Sequence, residues 1–358
     1  MRTRRMRRKV YVGDVAIGGD SFISVQSMTN TDTRNVGATV QQIKALSAAG
    51  ADIVRVAVLN HHAADVLPEI KRRSTVPLVA DIHFDYRLAL AAIEAGFDKL
   101  RINPGNIGDA DRVEQVARAA KAAKVPIRIG INSASLDKRL LEQYGGVTPE
   151  AMVASALEHV AILEHINFED IIIALKAPDV WRTIASYRLL ADRCDYPLHV
   201  GITHAGLPSS GIVTSSVGLG ILLSEGLGDT MRVSLSCDPV EEVYTGWRIL
   251  ESLDIRRRGV RLVSCPACGR CQVDLYSIAQ EVERWCASYD GPPLTVAVMG
   301  CEVNGPGEAR EADIGIAAGQ SMGFIFSRGE IIAKVHPEHF VTAFRSAFAE
   351  MTGFELHL

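Results

Sequence analysis

The sequence predicts a (β/α)₈ TIM-type barrel followed by a smaller α/β domain, and three observations carry that prediction. Short runs rich in β-branched residues alternate eight times with longer stretches of helical period between Phe22 and about Asp254. No G-x-G-x-x-G follows the first of these runs, which disfavours an open dinucleotide-binding sheet. Beyond RRRGVRL the texture changes, and the segment CPACGRC opens a last third with its own helix and strands. We expect a barrel domain over 1–255 and a second domain over 256–358.

Taken in order, residues 2–9 carry six basic side chains and no acid, but VYVGDVAIGG directly after them reads as strand, turn and strand. That continuity favours a folded N-terminus over a targeting peptide. The barrel strands are FISVQSM, IVRVAV, PLVADIHF, KLRINPGN, PIRIGIN, DIIIALKA, PLHVGIT and MRVSLS, with ATVQQIKALSAAG, YRLALAAIEAG and DADRVEQVARAAKAAK among the intervening helices. The last third reads as a helix from Leu275 to Ala287, a Pro-Pro break, the strand LTVAVMG, then CEVNGPGE. From Gly319 the tail reads as strand, turn and helix and carries no motif.

Composition narrows the function classes. A net charge of −4 gives no reason to expect nucleic acid as a global partner. No run of 18 apolar residues and no secretory core appears, so a soluble cytoplasmic protein without a membrane partner is expected. Seven cysteines, three of them within CPACGRC, suit metal or cluster binding in a reducing compartment better than disulfides.

Barrel chemistry sits where strands end and βα loops begin. Those positions carry Arg55, then Asp81 and His83, Arg101 and Asn103, Arg128 and Asn132, Lys176, Thr203 and His204, and finally Arg232 and Ser234. A single Arg at a strand end is most simply solvated or ion-paired. Cations on five separate strands are costly to desolvate together unless a multiply charged anion compensates them. Guanidinium forks suit phosphate, and Lys adds a point charge, so the expected substrate is small and carries one or two phosphates.

Cys265 and Cys268, with Cys301 further on, match a zinc or an iron–sulfur site. Zinc would want a second C-x-x-C or a His pair, whereas the later half offers only Cys301, followed by Asn304 and Glu308. Three thiolates and a carboxylate suit a four-iron cluster with one chemically distinct iron; Cys271 is the competing fourth ligand. Cys194, Cys237 and Cys286 read as small buried hydrophobes.

The segments VQSMTNTDTR, PLVADIHFDY, LRINPGNIG, PLHVGIT, GLGILLSEGLGDTMRVSLSCDPVEEV, CPACGR and GCEVNGPGEA closely resemble the 4-hydroxy-3-methylbut-2-enyl diphosphate synthase family, in its bacterial two-domain form, from about Arg8 to Ile316. The resemblance implies a barrel plus a [4Fe-4S] domain and a head-to-tail homodimer. It implies reduction of 2-C-methyl-D-erythritol 2,4-cyclodiphosphate with electrons from flavodoxin or ferredoxin. By position it makes Arg55, Arg101, Arg128 and Lys176 diphosphate-binding cations, and Asp81, His83, Asn132, Arg232 and Ser234 further substrate-lining residues. It makes Cys265, Cys268, Cys301 and Glu308 the cluster ligands, and places Asn304 beside the substrate. Three departures stand out. His204 replaces a Glu that the family uses for proton delivery, an Arg and a Lys are missing around Ser209 and at Thr214, and Cys271 is extra. His204 is expected to act as the acid in that Glu's place. The competing expectations are a diverged reductive dehydroxylase of another phosphorylated polyol, a non-catalytic cluster protein, and a zinc-ribbon module.

Overall fold

The computed structural model of the chain describes residues 4–103, 107, 110–271, 273–301, 311–319 and 321–355. They form two compact units, Met1–Arg256 and Arg257–Leu358.

The first unit begins with a hairpin of β1 (Val10–Val12) and β2 (Val15–Ile17). Its two-residue turn needs a positive φ, which Gly13 supplies at 59°, and a Cβ there would press on Pro77 and Asp98. Eight parallel strands follow: β3 (Ser24–Met28), β4 (Ile53–Val58), β5 (Leu78–Ile82), β6 (Lys99–Ile102), β7 (Ile127–Asn132), β8 (Ile171–Lys176), β9 (His199–Val200) and β10 (Thr230–Met231). They pair in the order β8-β7-β6-β5-β4-β3-β10-β9, and a parallel bridge between Ile173 and Leu198 closes the ring. This is the barrel that the alternating pattern predicts.

The two-residue period of the strand divides labour. Val54, Val56 and Val58 of β4, Leu100 and Ile102 of β6, and Ile127, Ile129 and Ile131 of β7 face outward into one apolar layer shared with the helices. The alternate residues face the barrel axis. At the N-terminal end these are Ile53, Val79 and Ile172, which pack with Val10, Val12 and Ile17, so the hairpin plugs the floor. Above that plug the interior is polar.

The loops leading from strand to helix are held by caps. Asn35, Asn60, Asp85, Asp179 and Asp238, after β3, β4, β5, β8 and β10, each accept a backbone N–H from the first turn of the following helix. Each contributes about 1 kcal/mol and fixes where the strand-end side chains sit.

The second unit is a five-stranded sheet in the order β11 (Val260–Ser264), β12 (Leu294–Met299), β13 (Ile314–Ala317), β14 (Gly323–Ser327), β15 (Glu330–Val335). The first three are mutually parallel and the last two antiparallel. Helices Leu275–Cys286 and Phe340–Thr352 bury Val282, Trp285, Phe340, Phe344 and Phe348 against Val296, Val298, Ile314, Ile316 and Ile325. The tail thus contains two strands where its sequence reads as one. The Arg328-Gly329 pair, both with positive φ, makes the tight turn between them. Among the described residues no helix is long and apolar enough to cross a membrane.

Candidate active site

Strand register brings the inward polar residues side by side. Asp81 of β5 pairs with Arg101 of β6, which pairs with Arg128 of β7, and Asn132 of β7 pairs with Lys176 of β8. All nine expected anion-site residues, Arg55, Asp81, His83, Arg101, Arg128, Asn132, Lys176, Arg232 and Ser234, line one cavity of about 170 Å³, together with Gly130, Ala174 and Thr203.

Asp81 organises one side. Arg55 Nε lies 3.9 Å from Asp81 Oδ2 and Arg101 Nη1 lies 3.3 Å from Oδ1. His83 closes the cluster, with Nε2 3.0 Å from Arg101 Nη1 and 3.4 Å from Asp81 Oδ2. Burial alone would raise the Asp81 carboxyl, but Arg55, His83 and Arg101 hold it well below the usual carboxylate range. On the other side Arg232 Nη2 lies 3.3 Å from Glu242 Oε2, and the Leu235 N–H donates to Glu242 Oε1 at 2.8 Å.

Among the described residues Arg128 and Lys176 form no ion pair with a carboxylate, and Arg55 has only the long contact to Asp81. Arg128 is 1% exposed, and its Nε and Nη1 have no hydrogen-bond partner among the described residues. Burial lowers its proton affinity well below the ordinary value, and Arg55 and Arg101 lower it further. Arg55 is pushed down to about 10, chiefly by burial, and directs Nη2 at the Met28 sulfur at 2.7 Å, a weak acceptor. Donors that are buried, charged and poorly matched suit a ligand with many anionic oxygens.

Two glycines make the crossing of these long side chains possible. A Cβ on Gly130 would lie 2.7 Å from Arg101 Nε, and one on Gly201 would lie 2.4 Å from the Arg232 carbonyl and 3.0 Å from Lys176 Nζ. Sequence reasoning passed over both, and over Glu242, although a glycine at an inward strand position is a readable sign of close approach. It also passed over the layer beneath the cavity. There Lys99 Nζ donates to Gln26 Oε1 at 3.1 Å, and Lys176 Nζ lies 3.5 Å from His199 Nε2.

His204 is not among the lining residues. It is exposed in the loop after β9, next to Thr203 which does line the cavity, with φ 53°. Phe84, beside His83, has φ 66°. Positive φ is strained for both side chains, and such strain concentrates at functional loops.

In the second unit Cys265 directly follows β11, and Cys301 lies two residues past the end of the neighbouring β12. The Gly300 N–H donates to Cys265 Sγ at 3.3 Å, so that sulfur serves as an acceptor. Cys271 behaves oppositely: its thiol donates to the Val273 carbonyl at 3.3 Å. Cys268 is exposed, Cys301 is buried, and none of the seven cysteines forms a disulfide. Among the described residues no three His, Cys, Asp or Glu side chains are gathered closely enough to hold a metal. Asn304 and Glu308 lie outside the described residues. By donor chemistry Cys265, Cys268 and Cys301 fit a soft cluster, and the Cys271 contact sets that thiol apart.

Comparison with known proteins gives concordant matches in both units. A family model described as the GcpE TIM-barrel domain matches residues 7–247, and one described as the GcpE protein C-terminal domain matches residues 261–350. The chain is 59% identical over 328 residues to the 4-hydroxy-3-methylbut-2-en-1-yl diphosphate synthase (flavodoxin) of Geobacter sulfurreducens, covering 92% of this chain and 93% of that protein. It is 61% identical over 335 residues to the enzyme of the same name from Maridesulfovibrio salexigens, covering 94% and 93%. Among solved structures, an N-acetylneuraminic acid synthetase from Leptospira borgpetersenii superposes with a TM-score of 0.50 at 12% identity, over 80% of this chain and 99% of that one, a likeness of fold alone.

Proposed function

The chain belongs to the GcpE family of 4-hydroxy-3-methylbut-2-en-1-yl diphosphate synthases, and on that premise we infer how its residues do the work of the family. It is a flavodoxin-type oxidoreductase that opens and dehydroxylates 2-C-methyl-D-erythritol 2,4-cyclodiphosphate in the non-mevalonate isoprenoid pathway. Two electrons and one proton convert the cyclic diphosphate into the allylic diphosphate and water.

The observation that carries the residue-level reading is the convergence of Arg55, Arg101, Arg128, Lys176 and Arg232 on one cavity. These cations hold the diphosphate and fix the reacting carbon in one orientation. Asp81 and Glu242 hold Arg55, Arg101 and Arg232 in place, while His83, Asn132 and Ser234 supply hydrogen bonds to the polyol. His204 delivers the proton, with its neighbour Thr203 already on the cavity wall. Cys265, Cys268, Cys301 and Glu308 would hold a [4Fe-4S] cluster, with Asn304 beside the substrate. When bound, that cluster supplies electrons one at a time from flavodoxin or ferredoxin.

We further infer that the protein works as a head-to-tail homodimer, the cluster domain of each copy serving the barrel of the other. Leu59, Phe84, Trp181 and Leu207, in or just beyond the loops after β4, β5, β8 and β9, are 62–75% exposed. An apolar rim at a barrel mouth favours a cover. The thiols, none of them in a disulfide, suit a cytoplasmic setting.

The test is anaerobic turnover of the cyclodiphosphate by cluster-reconstituted protein with a strong chemical reductant. Appearance of the allylic diphosphate supports the reading and shows that the activity is kept with His204 where the family has a Glu. An intact cluster without product overturns it, and points to a reductive dehydroxylase whose substrate changed with the His204 loop.

A further inference from the structure

The barrel axis holds more positive charge than its carboxylates balance. Six basic side chains point inward among the described residues: Arg55, Lys99, Arg101, Arg128, Lys176 and Arg232. The acids beside them are Asp81 and Glu242, both already engaged by arginines. Lys99 and Lys176 are 0% and 8% exposed, and His199 between β8 and β10 is 0% exposed. Such a dry surplus is relieved most easily at lysine and histidine, because arginine keeps its proton.

One contact places a lysine and a histidine where that relief can act. Lys176 Nζ and His199 Nε2 lie 3.5 Å apart. A hydrogen bond between these nitrogens needs one of them to present a lone pair, and that lone pair is the place where the couple can take up a proton. Among the described residues its surroundings supply no acid. Arg128 comes from β7, Lys99 and Arg101 from β6, Arg55 from β4 and Arg232 from just after β10, all basic groups acting on the pair. The Tyr187 hydroxyl donates to the His199 carbonyl at 2.5 Å and leaves the ring nitrogens untouched. Burial, followed by Arg128, lowers both groups well below their ordinary values.

We propose that a diphosphate entering this cavity brings a proton with it, taken from solvent onto the Lys176–His199 pair, so that the barrel binds the anion and one proton together. The proposal rests on the reading of the cavity as a diphosphate site. Lys176 lines the cavity, so anionic oxygens placed there restore the charge balance that the empty arrangement lacks, and the lone pair of the couple becomes protonated. Affinity then falls as pH rises between the pair's proton affinity without and with the anion. The enzyme meets a more acidic Lys176 before binding than after it, and the ammonium is completed only on a correctly charged ligand. A singly charged or neutral polyol would not complete it, which makes the pair a charge-counting device.

The experiment is calorimetric titration of the full chain with inorganic pyrophosphate in buffers of different ionisation enthalpy, for wild type and Lys176→Arg. The variant keeps a cation whose proton is not given up, and the ligand's own proton change cancels between the two proteins. Wild type is expected to take up about one proton more than the variant. Should the Arg not be accommodated, Lys176→Met serves, since it too lacks a titrating group. In parallel, methanedisulfonate, which does not titrate, counts the protons of wild type directly. Binding with equal proton counts in wild type and variant, or with no uptake on methanedisulfonate, overturns the proposal and leaves the anion site standing. Absence of any pyrophosphate binding overturns both.

Discussion

Replacing Arg128 by Met tests whether the barrel interior is built for its ligand at the expense of its own stability. The guanidinium is 1% exposed, two of its nitrogens lack partners, and strand register sets it directly beside Arg101. Removing a buried charge without a carboxylate partner, and filling its volume with an unbranched apolar chain, stabilises a protein by about 1–4 kcal/mol. At about 2–4 °C per kcal/mol for a domain of this size, the ligand-free variant should melt several degrees above wild type. The same change removes a charge-assisted contact to phosphate, a loss of about 2–5 kcal/mol, roughly 30-fold to several thousand-fold in affinity. Differential scanning fluorimetry without ligand and pyrophosphate titration read the two effects separately. A variant less stable than wild type that still binds pyrophosphate refutes the reasoning, because Arg128 would then be structural.

Gly201→Ala should lower stability where Arg128→Met raises it. Its Cβ would sit 2.4 Å from the Arg232 carbonyl and 3.0 Å from Lys176 Nζ, so thermal melts should show a loss of about 1–3 kcal/mol along with weakened binding. Lys99→Met should flatten a pH slope. Burial lowers Lys99 well below its ordinary value in the folded chain, so between that lowered value and about 10.4 the unfolded chain holds the extra proton, and wild-type stability rises with pH by up to about 1.4 kcal/mol per unit. Urea midpoints of the variant against wild type measure that difference, and parallel curves sink it. Cys268→Ser should lose iron and visible absorbance after anaerobic reconstitution whereas Cys271→Ser keeps both, as the donor role of the Cys271 thiol implies. His204→Ala should lower kcat by roughly 100- to 10,000-fold with little change in KM; an equal loss in binding would make it a contact residue.

The barrel was legible because its strands announce themselves twice, by β-branched runs and by the polar residue that ends each run. IVRVAV and PIRIGIN match β4 and β7, and the alternate residues told which side chains meet. Strands PLHVGIT and MRVSLS were legible as segments but not in length. Of PLHVGIT only His199 and Val200 form β9, and of MRVSLS only Met231 belongs to β10, which begins at Thr230. The layer of Gln26, Lys99 and His199 was not legible, because its meaning lies in the missing carboxylate, and pairing across strands is set by register. Glu242 was hidden for a related reason. It sits in a helix first turn, where an acid is ordinarily explained by the helix dipole, and only the fold turns it toward Arg232.

The same alternation separates folding from chemistry along each strand. On β7, Ile127, Ile129 and Ile131 belong to the apolar layer, while Arg128, Gly130 and Asn132 face the cavity. Burial of the first set stabilises the barrel by roughly 1.5–3 kcal/mol per side chain, which offsets the cost of holding the second set dry and underpaired. Function therefore depends on outward residues that never touch a ligand. Ile129→Ala, which leaves every cation in place, should cost about 2–5 kcal/mol of stability yet leave pyrophosphate affinity near wild type at temperatures where the variant is folded. Arg128→Met should do the reverse. If both variants instead lost binding in proportion to their lost stability, the cavity would owe its affinity to the rigidity of the barrel and not to the charges on its wall.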